Sequence, residues 1–522
     1  MEKRTKRILV ISLILIVLFF LASVFVNYIV KQKIEDKIEA SSRLIDLTYR
    51  NLNVSALQSK VSFTDLKLVL KGKTTEATNL EVALDEFLIN DISYWDILFN
   101  EKITIGDIQL LKPKIKYYHN SSANFETFKS SNKKQITKEI LIDNLTIKEG
   151  SVSFFNFEND SIIFKTNQLN VDAKKLVFNQ EKVASKLPFT YGSFNLEMKN
   201  LFYALDDFEN LKVETLAISD KETSLKKLSL KTKYSKARLS QIIASERDHF
   251  DLKIDSITVK NQTFGYANDS VFQFKSQLAT LYKPEVSIYR DKLVSDDETK
   301  KRMYSKMLRD LNFDLALDKV EIKSGYISYA ERVNDSPKPG ELQFSDLNAT
   351  IKNLCNIYGK SINTAIKINS IFMKATPLNV DWQFDVGNLN DHFTFKADIG
   401  DLPANNLNQF MKPNLKVAFE GDLKKTYFTI DGNNTKSLVD LSVKYDDFKV
   451  VILNEEGNEE KGLLTGIVNL FLSKDSKDAS QDFRKSSKKE VERNPTKSIF
   501  NFIWLNTKAG LLSAIAGDGE KD

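Results

Sequence analysis

The chain has 522 residues, with 75 Lys and Arg against 70 Asp and Glu, a formal net charge of +5 and 42% hydrophobic residues. That near-balance argues against the strongly basic face of a nucleic-acid binder. The single cysteine, Cys355, excludes an intramolecular disulfide, and 18 glycines with 9 prolines exclude a collagen-like chain.

Residues 1–7 form a basic N-terminus with Lys3, Arg4, Lys6 and Arg7. Residues 8–30 follow without a charged side chain, and as a helix they span about 35 Å, enough to cross a bilayer core. Ile8, Leu15, Phe19 and Val30 mark this expected single-pass anchor. The cations before it favour a cytoplasmic N-terminus and export of the rest. A cleavable signal peptide is the rival reading, but Leu21, Ala22 and Ser23 are followed by further uncharged residues and no convincing cleavage site. Residues 31–58 read as a juxtamembrane helix and a connection, with Ile34, Ile38 and Ile45 on a loosely helical spacing.

Strands begin in the next stretch, residues 59–360. Val61, Phe63, Leu66, Leu68 and Leu70 alternate with polar residues, with a phase slip at Asp65. A degenerate repeat then appears. Its first copy places Ile103, Ile105, Ile108 and Leu110 before Pro113, Ile115 and Tyr117. The second places Ile140, Ile142, Leu145 and Ile147 before Gly150, Val152 and Phe154. The third runs from Leu252, Ile254, Ile257 and Val259 past Gln262 to Phe264 and Tyr266. The fourth places Leu315, Leu317, Val320 and Ile322 before Gly325, Ile327 and Tyr329. This predicts a strand, a bend, a second short strand, a turn at Gly or Pro, and a return strand ending in an aromatic residue. The intervals between copies are uneven, so no fixed-period solenoid is expected. Helices are predicted over Ser235–Glu246 and Thr299–Arg309.

Residues 361–472 read as a regular hairpin module, with Asp431, Gly432, Asn433 and Asn434 as a turn. Residues 473–497 are polar and read as a linker. Residues 498–522 turn apolar again and predict an amphipathic helix. Phe500, Trp504 and Leu511 are its candidate membrane contacts, and plugging the end of the sheet is the alternative.

No catalytic or metal constellation is legible. His119, His249 and His392 are scattered, and there is no phosphate loop or nucleophile motif. The Asp pairs 206–207, 296–297 and 446–447 do not make dyads, because neighbours on a strand point to opposite faces. No metal and no cofactor are expected, and the chain reads as a non-enzyme.

The fold class expected is mainly β: an N-terminal transmembrane helix, a long curled antiparallel sheet forming a groove, few short helices and a C-terminal amphipathic helix. So much sheet with one apolar face needs a cover, either a second layer in closed sandwiches or lipid acyl chains in the groove. The order of parts resembles the AsmA-like family of envelope proteins, which includes the TamB relatives. The likeness lies in the basic N-terminus and single anchor, the stretch from Tyr49 to Leu70, the repeats, and the late module from Phe428 to Leu453. That resemblance implies an inner-membrane anchor, a periplasmic β-groove, and movement of phospholipid toward the outer membrane. On that reading Ile105, Ile142, Leu145, Ile147, Ile254, Ile257, Leu317, Val320 and Ile322 line the groove. The partners implied are phospholipid acyl chains, the membrane and outer-membrane assembly proteins, with no nucleic acid. The alternative is a non-enzymatic scaffold that binds other envelope proteins along sheet edges.

Overall fold

The computed structural model describes residues 23–39, 45–71, 77–119, 138–268, 270–335, 338–357, 363–454 and 483–516. Ile8, Leu15 and Phe19 of the expected anchor lie outside them, as do residues 473–482 of the expected linker. Val30 lies in helix α1, residues 23–39. Among the described residues no helix is long and apolar enough to cross a membrane.

The chain divides into two compact units. The first comprises Met1–Leu205 and Lys212–Asp220, and the second Asp206–Leu211 and Lys221–Asp522. This division falls inside the stretch 59–360, expected as one run of repeats. After α1 the first unit carries β1 (Ile45–Thr48), β2 (Asn51–Ser55), β3 (Lys60–Lys71), β4 (Thr78–Ile92), α2 (Tyr94–Phe99), β5 (Lys102–Leu111), β6 (Lys114–His119), β7 (Glu139–Asn156), β8 (Ile162–Phe178) and β9 (Ser193–Ala204). β10 (Glu209–Ser219) spans the division. The second unit continues with β11 (Glu222–Thr232), α3 (Lys236–Ile242), β12 (His249–Ala267), β13 (Val271–Asp291), α4 (Tyr304–Arg309), β14 (Asp314–Arg332), β15 (Gly340–Cys355), β16 (Asn363–Phe372), β17 (Thr376–Asp385) and β18 (Phe393–Ile399). It closes with β19 (Leu402–Pro403), α5 (Asn408–Leu415), β20 (Val417–Gly432), β21 (Lys436–Ile452), β22 (Arg484–Lys485), β23 (Lys489–Glu492) and α6 (Ile499–Ala516).

The fold is mainly β with few short helices, but its sheet is mixed rather than antiparallel. β5 and β6 both run parallel to β7, and β13 runs parallel to β14. Parallel neighbours need a connection that travels back along the sheet. Residues 292–313, with α4, supply it between β13 and β14.

The repeats are also not hairpins. Copies two to four are each one long strand that keeps its direction, β7, β12 and β14 being 18, 19 and 19 residues long, and the first copy is split into β5 and β6, which run the same way along β7. The expected turn is an in-line bulge. Lys112, Glu149, Asn261 and Ser324 each take one step at φ between 49° and 55°, just before Pro113, Gly150, Gln262 and Gly325. A residue inserted in this way shifts the alternation by one and returns the next apolar side chain to its original face. The slip at Asp65 is the same device, at φ 48°. Copies two and four even share their surroundings. A Cβ on Gly150 would lie 3.1 Å from Pro113 Cγ and 3.3 Å from the Leu169 carbonyl; on Gly325 it would lie 3.2 Å from Pro284 Cγ and 3.3 Å from the Leu347 carbonyl.

The helices are shorter than predicted. α3 starts where Ser235 Oγ accepts from the Arg238 backbone N–H (3.3 Å) and stops at Ile242. α4 covers only Tyr304–Arg309. Arg484–Lys485 and Lys489–Glu492, expected inside the polar linker, are short strands paired with β21.

Candidate lipid-binding faces

In both units the bulges line up apolar side chains in rows that run from strand to strand. In the first unit Phe87, Leu110, Ile147, Val171 and Leu196 are successive partners across β4, β5, β7, β8 and β9. Ile89, Ile108, Leu145, Ala173 and Phe194 form the next row, and Ile105, Ile142 and Leu176 the one beyond. In the second unit Ile257, Leu281, Ile322, Ala349 and Ile368 form one row across β12 to β16. Val259, Ala279, Val320, Ile351 and Ile366 form another. Ile254 stands opposite Pro284, and Leu317 opposite Leu354.

The structure therefore brings the predicted residues of each unit together. Ile105, Ile142 and Leu145 share one hydrophobic cluster, with Ile147 in the adjoining row. Ile142, Ile254 and Val320 are buried among their neighbours, whereas Ile105, Leu145, Ile147, Ile257, Leu317 and Ile322 are only half-buried. Apolar rows left half-buried over many strands exceed the scattered surface hydrophobes of an ordinary soluble protein.

The faces are also chemically plain. Polar side chains within them turn inward to bulge carbonyls. Thr166 Oγ1 donates to the Lys199 carbonyl (2.9 Å), Ser276 Oγ to the Lys260 carbonyl (2.8 Å) and Thr364 Oγ1 to the Asn353 carbonyl (2.9 Å). Asn200, Asn261 and Asn353 are all at positive φ, so each hydroxyl satisfies a carbonyl where the ladder is interrupted. Charges occupy the opposite face, where Lys67 and Lys116 flank Glu81 (3.2 and 3.7 Å) and Lys231 meets Asp251 (3.0 Å).

The C-terminal part of the second unit is different in kind. Here the rows pass into a closed core in which Ile430, Val439, Leu441 and Val443 are wholly buried. α6 covers it. Ile499, Phe502, Ala514 and Ile515 point inward, and a Cβ on Gly510 would lie 2.9 Å from Leu441 Cβ. α4 joins the cover, with Met303 and Tyr304 in the cluster and Tyr304 5.4 Å from the Trp382 ring. Arg309 fixes α4 by donating to Asp391 (2.7 Å) and to the Val386 carbonyl (2.7 Å). α6 thus caps the sheet with one face. It is apolar on the other side too, since Phe500, Trp504 and Leu512 are exposed. That departs from the amphipathic helix expected, and of the three proposed membrane contacts Leu511 packs against the core.

One polar centre escaped the sequence reading. Glu246, buried beside β13, receives Lys292 (2.6 Å) and Lys497 (3.2 Å). Next to it Arg290 clasps Asp248 through two bonds of 2.6 and 2.7 Å. Burial alone would raise the Glu246 carboxyl, but Lys292, Lys497 and Arg290 hold it below its ordinary range. Burial raises Glu331 in the same cluster. Nothing local in the sequence announces this network, because Lys497 lies far along the chain from Glu246.

No protein-family model matches the chain, and no curated protein matches it. Among the described residues no group of three or more His, Cys, Asp or Glu side chains could hold a metal ion. His249 Nε2 lies 2.9 Å from the Tyr234 carbonyl, and His392 Nε2 3.2 Å from Asp431. The rows named above carry hydrocarbon side chains, which can bind acyl chains.

Proposed function

We propose that the chain is an inner-membrane-anchored envelope protein, not an enzyme, whose apolar sheet faces hold phospholipid acyl chains and conduct them toward the outer membrane. Ile8–Val30 is its anchor, and the bulk of the chain lies in the periplasm. The reading keeps the resemblance to the AsmA-like family, in which such faces curl into a groove. The observation that carries it is the bulge-aligned rows of half-buried aliphatic and aromatic side chains, with polar groups turned into the backbone. Acyl chains laid on such rows would remove apolar area from water at about 25 cal/mol per Å². The C-terminal module is the closed end, already covered by α4 and α6.

Native mass spectrometry of the purified full chain, released from detergent, tests the proposal. Several phospholipids per chain are expected in the wild type, with marked loss in the Leu281→Asp, Ile322→Asp double variant. A folded chain that carries no lipid would overturn the reading and favour an assembly scaffold.

A further inference from the structure

One end of the first unit gathers exposed apolar side chains that its sheet does not use. α2 is capped where Ser93 Oγ accepts from the Asp96 backbone N–H (3.3 Å). The i, i+4 spacing on this helix sets Trp95 and Phe99 side by side, ring centres 4.4 Å apart. Both face outward, 66% and 64% exposed. The turn Ala56–Gln58 lies at the same end, because the Ile92 N–H before α2 donates to the Ser59 carbonyl after that turn (3.2 Å). Leu57 on the turn is 58% exposed. α1 reaches the same place, since Asn27 Oδ1 accepts from the Ala56 N–H (2.6 Å). Phe25 and Tyr28, flanking Asn27, are exposed as well.

We propose that this end of the first unit rests on the headgroup layer of a lipid bilayer, with Trp95 and Phe99 inserted at the interface. The proposal rests on the reading of Ile8–Val30 as the anchor. The occupant is a bilayer because that uncharged run leads into α1 at this very end, and Asn27 ties α1 to the turn that carries Leu57. The side chains suit the place. Tryptophan and tyrosine favour the depth where an apolar ring meets polar headgroups. Lys102 pairs with Glu139 (3.4 Å), Lys138 donates to the Ile97 carbonyl (2.7 Å), and the Asp96 carboxylate on α2 accepts from Asn100 (2.7 Å). The contact with the lipid surface is made by the apolar side chains Trp95, Phe99 and Leu57. The arrangement would set the apolar rows of the first unit, whose strands β5 and β7 start at this end, next to the membrane surface.

The full chain, carrying Trp504→Phe, is reconstituted in phosphatidylcholine vesicles brominated either near the acyl carbonyls or near the chain ends. Trp382 is buried and serves as the internal reference; Trp95→Phe in the same background identifies the Trp95 signal. The result expected is loss of about half of the Trp95 emission with the shallow bromines and much less with the deep ones. Resistance to alkaline carbonate extraction reports the anchor separately. A carbonate-resistant chain with unquenched Trp95 overturns the seating and leaves the anchor standing. A carbonate-released chain whose Trp95 is still quenched by vesicles keeps the seating and overturns the anchor. Release without quenching overturns both. Trp95 and Phe99 are exposed, so Trp95→Asp with Phe99→Asp should fold normally and lose the contact, seen in a Cys355→Ser background as free access of a water-soluble alkylating probe to Leu57→Cys in vesicles.

Discussion

Glu149, Asn261 and Ser324 accept a left-handed backbone step that costs a non-glycine residue about 1–2 kcal/mol. The return is that long strands keep one face apolar. Ser324→Val, at an exposed position, should destabilise the second unit by about 2 kcal/mol in chemical denaturation, because a β-branched side chain fits that backbone worst. Two aspartate substitutions separate open face from closed core. Ile430→Asp, at a wholly buried site, should cost more than about 4 kcal/mol, whereas Ile322→Asp, half-buried in its row, should fold and lose lipid. Glu246 makes a pH prediction. Its folded pKa lies below the ordinary 4.5, so its pairing with Lys292 and Lys497 contributes stability above that value and loses it as the pH falls through the folded pKa. Glu331 works in the opposite sense, its pKa being raised. Glu246→Gln should cost about 3 kcal/mol at neutral pH and flatten the acid limb of the stability profile, which denaturation at a series of pH values would read.

At the scale of elements, α6 decides where the apolar face stops being open. Phe502→Ala should destabilise the C-terminal core by about 3–4 kcal/mol, while Leu512→Ala on the exposed side should change stability by less than about 0.5 kcal/mol; thermal unfolding distinguishes them. Much at this scale was legible in the sequence. Alternation at Val61 and Phe63 marks β3, and the spacing of Ile140, Ile142, Leu145 and Ile147 marks β7 and its apolar face. Strand direction was not legible. A Gly or Pro after a run of alternating residues signals either a reversal or a bulge, and the difference lies in the backbone of Glu149 or Ser324, residues with no turn preference of their own. The charged centre at Glu246 was hidden for another reason: its partners come from β13 and from the segment before α6, which only the fold brings together.

At the scale of the molecule, the candidate faces follow from a simple balance. Strands this long and this apolar on one side cannot leave that side to water, and within each unit only part of it is covered by helices. We propose lipid as the cover of these rows. The test is a photocrosslinking scan in cells fed radiolabelled phosphate, with benzoylphenylalanine placed at Ile147 and Ile322 on the rows and at Thr146 and Glu321 on the opposite face. Labelled phospholipid should attach at Ile147 and Ile322 and be nearly absent at Thr146 and Glu321. Equal labelling of both faces, or none at Ile147 and Ile322 in a folded chain, would contradict the lipid-binding account.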